Sequence, residues 1–293
     1  MSGKPGLTVG LAQPEENRGK TKTAVTPSAA QGGVEAVREV ACWRCSGGQW
    51  SKIERWVPEE LRLDIFINGE EWLSILCSPH NLTCLVVGLL CSEGIISRPD
   101  EIACLRVCAE DGVAEVRLSL PVSLQVRRVL TSGCGGGSMS RFQEEKVTSV
   151  DGDLEMGPSQ VTALAGDLAR AAEFHRLSGG THTSALSDGE KLLVLAEDIG
   201  RHNTLDKILG QCLLMGIPTR NRLLITTGRI SSEMVLKAAR MAVPLVISLT
   251  SPTAYAIALA QRTGMTLVGY ARGSRFNVYT YPERIKGVQQ SRC

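Results

Sequence analysis

From residue 181 to residue 270 the chain repeats one pattern. A short apolar run leads into a turn of Gly, Ser, Thr or Arg, and a stretch with helical spacing often follows. The apolar runs cover 181–186, 191–196, 223–227, 245–249 and 266–270, and the helical stretches cover 203–215, 231–241 and 252–262. Apolar runs of about four to eight residues read as buried strands, and longer stretches with i, i+3, i+4 spacing read as helices. Strand–helix–strand units of this length are crossovers. The second half is therefore expected to form an α/β domain around a largely parallel sheet. A helix opened by Pro158 is expected to run to about His175.

The first half has a shorter rhythm. Leu61, Leu63, Ile65 and Ile67 alternate with polar residues, Asn68-Gly69 supplies a type I′ turn, and residues 70–77 return as a second strand. Ser78-Pro79 reads as the cap and first position of a helix carrying Leu82, Leu85, Val86, Leu89 and Leu90, stopped by Gly94. Residues 102–108 and 113–120 form a second hairpin about Asp111-Gly112, and 127–130 is a further candidate strand. The expected division is a flexible N-terminal segment over 1–50, a small α/β domain with hairpins over 51–125, and the larger α/β domain over 126–293. Cys42-Trp-Arg-Cys45 in the first segment is a lone C-x-x-C. Zinc would need two more ligands, and no second motif supplies them. Ordinary thiols are the expectation, with a redox or zinc role as the alternative.

Composition narrows the function. The net charge is +2, from 32 basic and 30 acidic residues, which gives no case for nucleic acid or a membrane surface as partner. No apolar run reaches the roughly 18 residues of a membrane span, and the N-terminus lacks an apolar signal core, so a cytoplasmic protein is expected. The ten cysteines then read as free thiols rather than disulfides. Cys77, Cys84, Cys91, Cys104 and Cys108 sit among aliphatic residues and read as small core hydrophobes.

Ligands of α/β sheets bind beyond the carboxyl ends of the strands. Here those ends run into Glu197-Asp198-Ile199-Gly200-Arg201-His202, Gly228-Arg229-Ile230-Ser231, Thr250-Ser251-Pro252-Thr253 and Ala271-Arg272-Gly273-Ser274-Arg275. Helix N-termini and arginines both suit phosphate. Taken singly, each turn is explained by helix capping; four such turns, three of them carrying arginine, point to a phosphorylated ligand. Cys134 lies in Thr131-Ser-Gly-Cys-Gly-Gly-Gly-Ser138. Consecutive glycines allow close backbone approach, and their N–H groups can stabilise a thiolate. A structural turn is the competing reading. His182 follows two glycines and is either a satisfied core histidine or an acid/base partner for the thiol. Glu197 and Asp198 could form a local ion-pair network with Arg201 and His202.

These segments resemble the FdhD/NarQ family of formate dehydrogenase accessory sulfurtransferases. The resemblance is carried by Glu197-Asp-Ile-Gly-Arg-His-Asn-Thr-Leu-Asp-Lys-Ile-Leu-Gly210 and by Thr226-Thr-Gly-Arg-Ile-Ser-Ser-Glu-Met-Val-Leu-Lys-Ala-Ala239. Ser251-Pro-Thr-Ala254, Thr266-Leu-Val-Gly-Tyr-Ala-Arg-Gly273 and Asn277-Val-Tyr279 follow in order. It implies a cytidine-deaminase-like three-layer α/β domain preceded by a small α/β domain, and a homodimer. It also implies a sulfur carrier that takes persulfide sulfur from an L-cysteine desulfurase. The sulfur goes to a bis-guanylate molybdenum (or tungsten) pterin cofactor, bound as substrate, for formate dehydrogenase. The sulfur-carrying position maps onto Cys134. The candidate contacts for the cofactor are Gly135, Gly136 and Gly137 in the loop, and His182, Arg201, His202, Thr227, Gly228, Arg229, Ser251, Arg272 and Gly273 at the strand ends. No metal ligands are expected in the protein itself. Some members carry C-x-x-C in the loop; Gly137 stands at the second position here, so Cys134 is expected to act as a single carrier. A non-catalytic chaperone that binds and presents the cofactor is the alternative.

Overall fold

A computed structural model describes residues 36–120, 149–150 and 152–288. The first half contains β1 (Val37–Ser46), β2 (Gln49–Pro58), β3 (Leu61–Ile67), β4 (Glu70–Cys77), α1 (Leu82–Ser92), β5 (Ile102–Cys108) and β6 (Val113–Leu118). The second half contains α2 (Pro158–Ala171), α3 (Glu173–Ser178), β7 (His182–Ser187), β8 (Leu192–Asp198), α4 (Arg201–Met215) and β9 (Leu223–Thr226). It continues with α5 (Ser232–Arg240), β10 (Leu245–Ser248), α6 (Ala254–Thr263), β11 (Thr266–Arg272) and β12 (Arg275–Val278).

The six strands of the second half lie in the order β12-β11-β10-β9-β7-β8. The sheet is mixed rather than largely parallel: β9, β10 and β11 are parallel, while β7 is antiparallel to both neighbours and β12 to β11. The apolar runs announce strands but carry no direction, and the short β7–β8 connection at Asp188-Gly189 is a hairpin turn. Because β7 reverses against both β8 and β9, these two point the same way. The carboxyl ends of β8, β9, β10 and β11 therefore share one edge with the start of β7.

The sheet is buried on both faces, which makes three layers. Leu224, Val246 and Leu267 pack with Leu205, Val235 and Leu259 of α4, α5 and α6. Ile225, Ile247 and Val268 face the other way, onto Val161, Leu164 and Leu168 of α2. The four-stranded sheet of the first half, in the order β4-β3-β6-β5, packs on α1. Helix α1 then lies on α4, backbone to backbone. A Cβ built on Gly88 would stand 1.8 Å from the Asp206 carbonyl oxygen, and one on Gly210 would stand 1.9 Å from that of Cys84.

Several expectations are corrected. The segment expected to be flexible carries β1 and β2 from Val37 onward, paired as a hairpin around Gly47 and Gly48, both at positive φ. Structure therefore begins before residue 50. The turn signal was present, but both faces of the ribbon are wet, so the apolar alternation that marks a strand is weak. Helix α1 starts at Leu82 after Asn81, not at Pro79. Ser78 is engaged elsewhere: its N–H donates to Asp198 and its hydroxyl accepts from the Ile199 N–H. The long helix expected after Pro158 breaks at Ala172 into α2 and α3. Cys104 is exposed rather than a core thiol. Cys42 and Cys45 lie three residues apart on one strand and point to opposite faces, about 10 Å apart by strand rise, beyond the reach of a disulfide. Residues 127–130 and Cys134 with Gly135, Gly136 and Gly137 lie outside the described residues.

Candidate functional site at the sheet edge

The edge of the six-stranded sheet is built from hydroxyl side chains. Thr183 and Thr227 exchange bonds: the Thr183 N–H donates to Thr227 Oγ1 and the Thr227 N–H to the Thr183 carbonyl. Ser184 is bonded to both Thr226 and Thr204, and the Thr226 hydroxyl accepts from the Gly228 N–H. The Ser248 hydroxyl donates to the Gly228 carbonyl, 2.7 Å away. Ile230 donates to the Ser251 carbonyl, and Thr253 back to Ile230. Short polar side chains here close the turns that the strands leave open, so the loops after β9 and β10 are locked to each other.

Cations rim this frame. Gly228 lies beneath Arg201 and His182: an added Cβ would stand 2.9 Å from Arg201 Cβ and 3.5 Å from His182 Nδ1. Arg229, Arg272, Gly273 and Arg275 are exposed on the same edge, and Arg272 Nε donates to the Leu249 carbonyl at 2.6 Å. Burial lowers the pKa of His182, and Arg201 adds to the effect, so the ring is neutral at pH 7. The structure thus brings His182, Arg201, Thr227, Gly228, Arg229, Ser251, Arg272 and Gly273 to one edge. His202 sits beneath it, 5% exposed, with Nε2 3.0 Å from the Ser231 hydroxyl and 3.5 Å from a Glu233 oxygen.

Two buried ion pairs under the edge escaped sequence reasoning. Asp198 pairs with Lys207 at 2.6 Å, both fully enclosed, and also accepts from the N–H groups of Ser78 and Gly200 and from Asn203 Nδ2. Lys207 reaches the carbonyls of Ser78 and Glu197. Asp198 is thus tied to Lys207 on the next turns of α4, not into a local network with Arg201 and His202. Glu197 turns the other way and accepts from the Phe174 and His175 N–H groups at the start of α3 and from the Thr183 hydroxyl. The second pair is Asp206 with Lys237, joined by the Ser92 hydroxyl. Burial works against the Lys237 charge, but Asp206, Glu93 and Glu233 outweigh it and raise its pKa. Only spacing could have hinted at these pairs, since Asp206 and Lys207 look like solvated residues of a polar helix face.

Gly228→Ala is expected to push Arg201 off the edge, with a stability loss of about 1 kcal/mol that thermal unfolding of wild type and variant measures.

Buried imidazoles set a pH response. Burial, with Lys207 for His80 and Arg201 for His202, pushes both pKa values down to about 2, against 6.5 for the free group. The unfolded chain takes up these protons below pH 6.5 and the folded chain does not, so stability is complete above 6.5 and lost as pH falls. Glu93 opposes this. Burial first, then Asp206 and Glu233, push its pKa up to about 7 from 4.5, so its contribution grows as pH falls through that window. At about 1.4 kcal/mol per group per pH unit, two losses against one gain leave a net loss of about 1.4 kcal/mol per unit between pH 6.5 and 4.5. Denaturation at stepped pH should follow that slope, and His80→Asn should flatten it.

The fold and the edge define a three-layer α/β protein with an arginine-rimmed, hydroxyl-lined sheet end. Comparison gives this class a family. The FdhD/NarQ family model matches residues 58–286, and the chain belongs to that family. A protein of Bacillus subtilis (strain 168) named sulfur carrier protein FdhD is 40% identical over 259 residues, 86% of this chain and 98% of that protein. One of the same name from Staphylococcus aureus (strain MRSA252) is 38% identical over 238 residues, 79% of this chain and 89% of its own. The crystal structure of a putative formate dehydrogenase accessory protein from Desulfotalea psychrophila superposes with a TM-score of 0.73 at 28% identity. The match covers 86% of this chain and all of that one.

Proposed function

We propose that this protein is a sulfur carrier serving formate dehydrogenase, with Cys134 as the carrying thiol. The observation that carries the reading is the convergence of Arg201, Arg229, Arg272 and the turn residues at one sheet edge, in a chain whose family relatives are named sulfur carriers. In this reading the Cys134 thiolate attacks the outer sulfur of a persulfide on an L-cysteine desulfurase. The Cys134–sulfur bond forms, the desulfurase S–S bond breaks, and the desulfurase cysteine leaves as a thiolate. Thiolate character is what the transfer needs, and backbone N–H groups of Gly135, Gly136 and Gly137 suit that demand. The sulfur is then passed to the bis-guanylate molybdenum (or tungsten) cofactor as substrate. Its phosphates are the partners for which Arg201, Arg229, Arg272 and the Gly228 and Ser251 turns are suited. The cytidine-deaminase-like assignment, the two-copy state and a cytoplasmic location belong to the same reading.

The test is direct. Incubation with a desulfurase and L-cysteine should add the mass of sulfur to the protein, and Cys134→Ala should remove that increment. A variant that loads equally, or that restores formate dehydrogenase activity in a strain lacking its own family member, would leave only a chaperone that presents the cofactor.

A further inference from the structure

The hairpin of β1 and β2 forms a sheet of its own, apart from the other two. Its strands pair from Val37 with Pro58 to Ser46 with Gln49. Cross-strand partners share a face, and successive pairs alternate between faces. One face therefore carries, from base to tip, Val37/Pro58, Glu39/Trp56, Ala41/Glu54, Trp43/Lys52 and Cys45/Trp50. The base is seated on the body: Val37 is buried, and Pro58 lies against Gly180 after α3. The rest projects. Trp43 and Trp50 are 67% and 68% exposed, and Trp56 is 36% exposed. Three of the chain's four tryptophans thus line one side of a two-stranded ribbon, a structure that is marginal in water by itself. Clustered exposed aromatics of this kind mark an interaction surface.

The pattern on this face is complementary to itself. We propose that the tryptophan face of the ribbon docks antiparallel on the same face of a second copy. The two-fold axis would lie across the ribbon between the Ala41/Glu54 and Trp43/Lys52 pairs. That axis stacks β1 on β1 and β2 on β2, the isologous arrangement of a two-fold dimer. Glu54 then faces Lys52 of the partner subunit. The methyl of Ala41 leaves room for the partner's Trp43. Trp56 meets the partner's Trp50, and Glu39 lies opposite the partner's Cys45. Moving the axis onto either central pair would set Glu54 against itself or Lys52 against itself, like charge on like charge. A face about 30 Å long and 10 Å wide on each copy buries about 600 Å² in total, below the range of stable interfaces, so the dimer is weak and dissociates on dilution. The inference rests on the two-copy part of the reading above and is separate from its sulfur chemistry.

The experiment is sedimentation of the full-length protein over a concentration series, with tryptophan emission read in parallel. Wild type should pass from monomer to dimer with a blue shift in emission. Trp43→Ser with Trp50→Ser should raise the dissociation constant at least tenfold. Glu54→Lys and Lys52→Glu should each do the same, since each sets two like charges opposed. The double exchange Glu54→Lys with Lys52→Glu should restore dimerisation, which also shows that the single variants fold. A dimer indifferent to all these changes overturns the ribbon interface and leaves the two-copy reading standing. Single variants that dissociate without rescue overturn the register. A monomer at every concentration overturns both, and sulfur loading of Cys134 is then judged by its own assay.

Discussion

Asp198→Ala is expected to lower stability by about 3–5 kcal/mol, the cost of leaving a buried charge without its partner. Lys207 has no route to water, with its side chain 1% exposed, and its remaining partners are two carbonyls at 3.3 Å. The carboxylate also holds the Ser78 and Gly200 N–H groups and Asn203, so its removal orphans several donors at once. Those bonds join the end of β4, the end of β8 and the first turn of α4. The edge residues Arg201 and Gly228 should lose their alignment together with the stability. Urea denaturation measures the loss. Asp198→Asn with Lys207→Met, which removes both charges and keeps much of the volume, should recover more than half of it. If the double variant is as unstable as Asp198→Ala, the pairing account fails.

Gly88→Ala should be nearly as damaging, although the same change in an exposed helix usually stabilises by about 1 kcal/mol. The new Cβ would lie 1.8 Å from the Asp206 carbonyl oxygen and 2.8 Å from the Gly210 nitrogen, so α1 and α4 must separate. Forced separation of a packed interface costs about 3 kcal/mol, which lowers the melting temperature by roughly 6–12 °C in a chain of this size. The displaced carbonyl belongs to Asp206, partner of Lys237 and Ser92, so the shift is transmitted to the second buried pair. Thermal unfolding of Gly88→Ala and Gly210→Ala should give similar drops. An unchanged melting temperature would mean that the helices part without cost.

Much of the fold was legible because local chemistry fixed it. Asn68-Gly69 and Asp111-Gly112 close hairpins where the turn residues placed them, with Asn68, Gly69 and Gly112 at positive φ. Ser231 and Thr253 cap α5 and α6 by accepting the N–H groups of Met234 and Ala256. What failed was local reasoning applied to residues with distant partners. Ser78 looks like a helix cap and instead bonds across to Asp198 and Ile199. The β1–β2 ribbon has a Gly-Gly turn but no dry face to write an apolar period into its strands.

The candidate site divides the same way. By itself the sequence determined which residue types stand at the strand ends: arginines, hydroxyls and glycines, each within a few positions of a run that had to be a strand. It also determined the family, through ordered blocks such as Glu197 to Gly210. Only the tertiary structure decided that these ends share an edge. Strand direction follows from pairing, and the reversal of β7 between β8 and β9 is a long-range hydrogen-bonding choice that no local pattern records. Only the structure separated Arg201, at the edge, from the adjacent His202 beneath it. Neighbours on a helix point about 100° apart, and burial acts on the side chain rather than on the sequence position.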